Sequence, residues 1–142
     1  MAFNHGRKQA FKLDNSGGSL TTLSTYITSI SMPKSIDLAD VTTLTKNSKV
    51  FVVGLEDNKI SISGKWDPTL DGHVAGLVSA LRSGTLASAT FEYGPAGSAS
   101  GAVRITGECF VEGYEVSGAV GDAQEFKLDL HVTDDVTVNT WP

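Results

Sequence analysis

The chain has 142 residues, of which 40% are hydrophobic, and its 16 acidic and 11 basic side chains give a formal net charge of −5. This length predicts one domain that buries about two thirds of the surface its unfolded chain would expose. The acidic balance disfavours tight nonspecific binding to nucleic acid or to an anionic membrane, and the single cysteine, Cys109, excludes an internal disulfide. Because the sequence has neither an apolar run of about 18 residues nor a signal-peptide pattern, we expect a protein made in a cytoplasm.

The first part of the chain predicts two short strands. Residues 1–8 are polar and are expected to form a flexible N-terminal segment. Residues 9–13 alternate in period 2 and predict a strand, which the turn-forming residues at 14–18 end. One helical turn is expected at residues 19–24, and a second alternating strand at residues 26–32.

Residues 34–49 contain β-forming side chains but no clear period. Loops longer than about 12–15 residues in a compact domain are usually functional or disordered. Four apolar side chains are scattered through this one, at Ile36, Leu38, Val41 and Leu44, and they would be unusual in a solvated loop. We therefore predict an extended inter-subunit arm over residues 34–49. The alternative is an irregular hairpin that lies on its own domain.

Two further strands are predicted before the helix. The apolar run at residues 50–53 predicts the first, and residues 56–58 are expected to form a turn after it. Residues 59–66 alternate in period 2, with Ile60 and Ile62 on the face that is predicted to be buried.

The hydrophobic period then changes from that of a strand to that of a helix. Asp67 is a favourable N-cap, Pro68 suits the first helical position, and Gly84 suits the end, so we predict a helix over about residues 68–83. One stripe of this helix is apolar and is expected to pack on the sheet: Leu70, Val74, Leu77, Val78 and Leu81.

The segments after the helix read as strands and turns. Residues 86–93 alternate, and the glycine-rich stretch at 94–101 is expected to be a loop tip rather than a phosphate site, because no Lys-Ser/Thr pair follows it. Residues 102–116 predict one long strand, or two joined by a bulge, with Gly107 and Gly113 as bend points.

The end of the chain contains the most regular alternation. After a turn at residues 118–122, residues 125–132 place four apolar side chains on one face: Phe126, Leu128, Leu130 and Val132. Residues 133–142 are expected to form a C-terminal tail whose Trp141 docks on another surface. The predicted fold is therefore mainly β, a β-sandwich or partial barrel with one flanking helix, in a single domain.

No catalytic motif occurs in the sequence. His5, His73 and His131 have no neighbour at a defining spacing, and a hydrolase using Glu108 and Glu112 is disfavoured because such strand carboxylates usually face water. We expect no enzymatic activity, no cofactor and no metal.

Five segments together resemble a known family. They are residues 11–15 with the two glycines at 17–18, residues 26–36 with the arm after them, Ser-Gly-Lys-Trp-Asp-Pro at 63–68, Phe-Glu-Tyr-Gly-Pro-Ala-Gly at 91–97, and Gly-Glu-Cys at 107–109 leading into Tyr-Glu-Val at 114–116. Over about residues 9–138 the sequence resembles the major tail tube proteins of long, flexible-tailed, siphovirus-type bacteriophages.

The resemblance implies a structural subunit of the virion tail, assembled in the host bacterial cytoplasm. Copies would form hexameric rings whose inner strands close a barrel, and stacked rings would form a tube that delivers DNA into the host. The implied partners are other copies of the chain, the tape measure protein and later the passing DNA in the lumen, and the tail terminator and distal tail proteins at the ends, with no membrane. The alternative is a carbohydrate- or protein-binding β-sandwich module of a phage tail or baseplate.

Two general arguments agree with a closed ring. Pairing with identical copies removes the unpaired edges of a sheet. Six copies carry a formal charge of about −30, and a lumen of that sign would repel phosphates. The carboxylates that we expect to line the lumen are Asp37, Asp40, Glu125 and Asp129.

Overall fold

A computed structural model describes residues 5–142 of the chain. Its strands are β1 (Ala10–Asp14), β2 (Leu20–Thr22), β3 (Ile27–Ser31), β4 (Lys34–Asp40), β5 (Phe51–Lys65), β6 (Ala89–Gly94), β7 (Val103–Ser117) and β8 (Glu125–Thr140). A single α-helix among these residues, α1, spans Pro68–Ser83, and Gly6–Lys8 form one 3-10 turn. Within the described range, no helix is long and apolar enough to cross a membrane.

Seven of the strands form one antiparallel path in the order β2-β1-β6-β7-β8-β5-β3, and β4 pairs with β5 outside this path. The sheet curls into a half-barrel. The prediction of a mainly β fold with a partial barrel and one flanking helix is thus confirmed.

The core lies on one face of this sheet because the register aligns apolar side chains across the central strands. Ile62 of β5 lies opposite Leu128 of β8, which lies opposite Tyr114 of β7. The inward residues of β8 are buried, as their alternation predicts, and Phe11 and Phe91 continue the apolar face across β1 and β6.

Helix α1 covers this apolar face. An oxygen of Asp67 accepts a hydrogen bond from the backbone N–H of Thr69 at 2.8 Å, and Gly84 ends the helix with φ of 83°. The predicted helix bounds and caps are therefore confirmed. Of its apolar stripe, Leu70, Val74 and Leu77 are buried, and the other two members, Val78 and Leu81, are partly buried against the core.

Three sequence predictions were wrong about local structure. Residues 19–24 contain strand β2, not a helical turn, because Thr21 pairs with Leu13 of β1. Residues 56–58 are not a turn but part of β5, where pairing with β4 supplies the hydrogen bonds of an extended strand. Residues 133–140 are not a tail, since β8 continues along β7 to Thr140.

The predictions for the two ends of the chain have different outcomes. Of the N-terminal segment that was predicted to be flexible, residues 1–4 lie outside the described residues. At the other end, Trp141 is buried, and its ring lies 5.2 Å from the Lys12 ammonium and 5.5 Å from the Arg104 guanidinium. The predicted docking of Trp141 is thus satisfied within the chain, with two cations over its ring.

The long strands β7 and β8 bend at irregular positions. The register of β7 against β8 shifts around Gly107 and around Gly113, the two predicted bend points. On the β8 side of the first shift, Asp134 has φ of 66°, a conformation that short polar residues tolerate better than most. These bulges allow the paired strands to follow the curl of the half-barrel.

Strand β5 passes close to β3 at Gly64. A Cβ atom at this position would collide with the carbonyl oxygen of Tyr26 and lie 2.8 Å from the Cα of Ile27. By contrast, a Cβ at Gly72, on the exposed side of α1, would meet no atom within 4 Å.

These two glycines provide a matched test of the fold. We expect Gly64→Ala to lower the free energy of unfolding by at least about 2 kcal/mol, because the backbone of β3 must move. Gly72→Ala should raise it by about 1 kcal/mol, since alanine is the better helix former. Urea denaturation of both variants measures the difference. A Gly64→Ala variant as stable as the parent would contradict the described packing of β3 on β5.

Candidate functional site: an exposed apolar hairpin

Strand β4 and the first half of β5 form a hairpin that is separate from the core. Leu38 lies opposite Val53, and Asp40 lies opposite Phe51. A salt bridge of 3.0 Å between Lys34 and Glu56 stabilises its base. A bulge interrupts the pairing between Ile36 and Leu38.

The bulge depends on a glycine in β5. A Cβ at Gly54 would lie 3.2 Å from the Cβ and 3.3 Å from the carbonyl oxygen of Asp37, so a larger residue would be tightly packed there. At the tip, Asp40 accepts hydrogen bonds from the backbone N–H of Thr42 at 2.9 Å and from its hydroxyl at 2.6 Å. These hydrogen bonds lower the pKa of Asp40 and keep it ionised.

The hairpin exposes apolar side chains on both of its faces. Leu38 and Val53 share one face and are 58% and 68% exposed, while Val52, on the other face with Ala39, is 53% exposed. Leu44 at the tip is fully exposed. Monomeric proteins rarely expose contiguous apolar surface of this kind without a partner for it.

The structure brings the four predicted arm residues together on this one hairpin. Ile36, Leu38, Val41 and Leu44 are all exposed, and none of them lies in the core. The sequence analysis missed the apolar residues of the opposing strand, because the run at residues 50–53 resembles a strand covered on both faces. Here those faces are open within the described chain: Val50, Phe51, Val52, Val53 and Leu55 are exposed.

The half-barrel also has open edges. Strands β2 and β3 stand at the two ends of the strand order, so each has one edge without a strand partner in the described chain. A cleft of about 560 Å³ lies beside β3 and is lined by Phe11, Ile27, Ile30 and Tyr93 among others. An unpaired strand edge is a template for pairing with another chain.

The four predicted lumen carboxylates occupy two separate places. Asp37 and Asp40 lie on the hairpin, whereas Glu125 and Asp129 lie on β8, alternating with its buried residues. Glu125 forms a 2.8 Å salt bridge with Lys65, which lowers the pKa of the carboxyl group.

The sheet face opposite the core carries charges of both signs. Glu115 lies opposite Lys127, and Lys65 lies opposite Glu125. Nearby, His131 donates to Asp57 at 2.7 Å and lies 3.7 Å from Glu112. This face thus carries charges of both signs, of which Lys65 and Glu125 form a salt bridge.

The residues weighed for catalysis have other partners. Glu108 accepts a hydrogen bond from the hydroxyl of Ser88 at 2.8 Å, while Glu112 lies near His131. Burial raises the pKa of the Cys109 thiol to about 12, so it is protonated and unreactive. Residues 5–142 contain no cluster of three or more side chains placed to hold a metal ion.

His73 has a structural position. Its Nε2 lies 3.0 Å from the carbonyl oxygen of Asp14, to which it donates, so the helix is joined to the end of β1. Burial lowers the pKa of His73 below its ordinary value of 6.5.

Comparisons with known proteins give a uniform result for the fold. No protein-family model matches the sequence, and no curated protein does. Among solved structures, the fold is similar to a chain of the tail of an empty gene transfer agent particle, refined with C6 symmetry, at a TM-score of 0.76 and 13% identity, covering 97% of this chain and 100% of the other.

Two further structures share the fold. The SPP1 tail tube protein matches at a TM-score of 0.74 and 14% identity, covering 97% of this chain and 80% of its own. A chain of the sheath-tube complex of PVC, an extracellular contractile injection system, in its extended state matches at 0.72 and 11% identity, covering 97% and 92%. The chain therefore has the fold found in tail tubes of phage-like particles.

The environment of His73 predicts a pH dependence. Because its pKa is lower in the folded chain than in the unfolded chain, stability is complete above about pH 6.5 and decreases as the pH falls below it. Between about pH 7.5 and pH 5.5, wild type should lose more stability than His73→Gln, whose amide can still donate to Asp14. Urea midpoints at the two pH values measure this, and equal losses would contradict it.

Proposed function

We propose that this chain is the structural subunit of a siphovirus-type tail tube. Copies assemble into hexameric rings, and the rings stack into a tube that delivers DNA into the host. The observation that carries the proposal is the β4–β5 hairpin, whose two apolar faces have no partner in the described chain. The similarity of the fold to tail tube proteins supports the choice of assembly.

Ring closure follows from the open half-barrel. If one copy places its β3 edge against the sheet of its neighbour, each open edge finds hydrogen-bond partners, and a head-to-tail contact of this kind either closes or forms a filament. The cleft beside β3 would then be covered. The number six is supported by the C6 symmetry of the gene transfer agent tail.

Stacking follows from the hairpin. We assign Ile36, Leu38, Val41 and Leu44 to an inter-subunit arm, to which Phe51, Val53 and Leu55 of β5 are added. Burying such side chains between subunits contributes about 1.5–3 kcal/mol each, which is enough for a few residues to hold a ring in place.

The sheet face opposite the core would line the lumen. Its paired charges and the negative net charge of the chain would keep the phosphates of passing DNA from binding tightly. Of the four carboxylates expected in the lumen, Glu125 and Asp129 lie on this face, whereas Asp37 and Asp40 lie on the hairpin that is assigned to stacking. In this assignment the tape measure protein occupies the lumen first, the tail terminator and distal tail proteins cap the ends, and assembly takes place in the host bacterial cytoplasm. The subunit has no enzymatic role.

One substitution tests the role of the hairpin. Val53→Asp places a charge on its most apolar face and should raise the protein concentration needed for tube formation by at least about tenfold, because the carboxylate must be desolvated at the contact. The control is Ser79→Asp, which adds the same charge on the exposed side of α1. Negative-stain electron microscopy over a concentration series gives the comparison.

The outcomes of this series are distinct. Wild-type protein and Ser79→Asp should form rings or tubes. Val53→Asp should remain unassembled at the same concentrations, with the melting temperature of the wild type. A wild-type protein that remains monomeric at high concentration would refute the tube. Equal assembly of both variants would refute the role of the hairpin alone.

Reversing Glu125 and Asp129, the proposed lumen carboxylates on the sheet face opposite the core, to lysine tests the lumen separately from the hairpin. We expect particles with normal tails but slower DNA release, because lysines along the bore would bind phosphates. Ejection kinetics at low and high salt measure this, since salt should restore the rate. Normal ejection at low salt would dismiss the assignment of these two residues.

A further inference from the structure

An open cavity lies at the root of the hairpin, where β5 leaves the body of the domain. Its volume is about 300 Å³, and its walls include Met32, Ile105 and Val138. Lys34 lies at the same cavity. Val138 is 63% exposed, so the cavity can be reached from outside.

One wall of the cavity contains a buried polar group without a partner. Asn58 lines the cavity and is only 3% exposed, yet its side-chain oxygen accepts no hydrogen bond. A buried acceptor without a donor is unfavourable, and native proteins usually satisfy such groups. A ligand that combines a hydrogen-bond donor with an apolar side chain would suit this cavity. The donor would bind the Asn58 oxygen, and the apolar side chain would pack against the apolar walls.

The turn between β7 and β8 has the complementary features. The backbone N–H of Asp122 donates to the carbonyl of Ala119 at 3.1 Å, and Gly121 has φ of 93°, as in a type II turn. The hydrogen bond of such a turn joins its first and fourth residues, so it does not use the N–H groups of the two central residues, Val120 and Gly121. The side chain of Val120, at the tip of this turn, is fully exposed.

The turn and the cavity lie at opposite ends of the same pair of strands. Ser117 and Glu125 pair next to the turn, and Ile105 and Val138 pair at the cavity, roughly 40 Å away at about 3.3 Å per residue. If copies stack head to tail along the direction of β7 and β8, the turn of one copy faces the cavity of the next. Asp122 beside the turn has the charge opposite to that of Lys34 at the cavity, whose ammonium already forms a salt bridge with Glu56 within the chain.

We propose that the turn at residues 119–122 of one copy inserts Val120 into this cavity of the next copy, where a backbone N–H of the turn donates to the oxygen of Asn58. The proposal rests on the proposed tube and specifies a contact between its rings that is separate from the hairpin.

Disulfide trapping tests this contact directly. In the double variant V120C/V138C, oxidation of assembled protein should produce a ladder of covalent oligomers. A disulfide needs Cα atoms within about 7 Å, so the two new cysteines of one copy cannot pair with each other. The native Cys109 does not interfere, because its thiol is buried. The controls are each single variant, which can form only dimers, and V120C/S79C, whose second cysteine lies on α1.

A second variant separates the contact from folding. Asn58→Leu removes the unpartnered oxygen at similar volume, so the isolated chain should melt at an equal or higher temperature. The same variant should need about tenfold more protein to form tubes, because the hydrogen bond between copies is lost.

The results discriminate between the two proposals. If wild type forms tubes but V120C/V138C gives no ladder beyond dimers, the ring contact is wrong and the tube stands. Unchanged assembly of Asn58→Leu would also overturn the contact. If wild type stays monomeric, both proposals fail.

Discussion

The continuity of β5 is the constraint on which the rest of the structure depends. Its second half pairs with β8 and β3 and supplies Ile60 and Ile62 to the core. Its first half pairs with β4 alone and is exposed. The hairpin is therefore not a loop attached to the domain but an extension of its central sheet, and its direction is set by the strand that organises the core.

Much of the fold could be predicted where a single period dominates. Strand β8 alternates strictly because one face packs under α1, and the helix is bounded by Asp67 and Gly84, which act through local hydrogen bonds and backbone conformation. Strand β2 could not be predicted, because three residues contain no period and their pairing with β1 is a tertiary effect. The extension of β8 beyond residue 132 was hidden by the bulge around Asp134, which shifts the alternation.

The candidate site was predictable only in part, for a physical reason. Alternation tells which side chains share a face, but not whether solvent or protein covers that face. The residues of the arm were recognised as apolar, whereas the opposing run at residues 50–53 has the composition of a buried strand. It is exposed in the described chain, and in the proposed tube a neighbouring copy would cover it. Asn58 is a second example, because a buried oxygen without a donor leaves no mark in the sequence.

The pairing of β5 with β8 has a mechanical consequence. Seven consecutive residue pairs, from Lys59 opposite His131 to Lys65 opposite Glu125, join the strand that bears the hairpin to the centre of the sheet. A force that pulls the hairpin along its axis would have to slide all of these pairs at once, instead of opening them one by one like a zipper. The attachment is thus strongest against stretching along the strand.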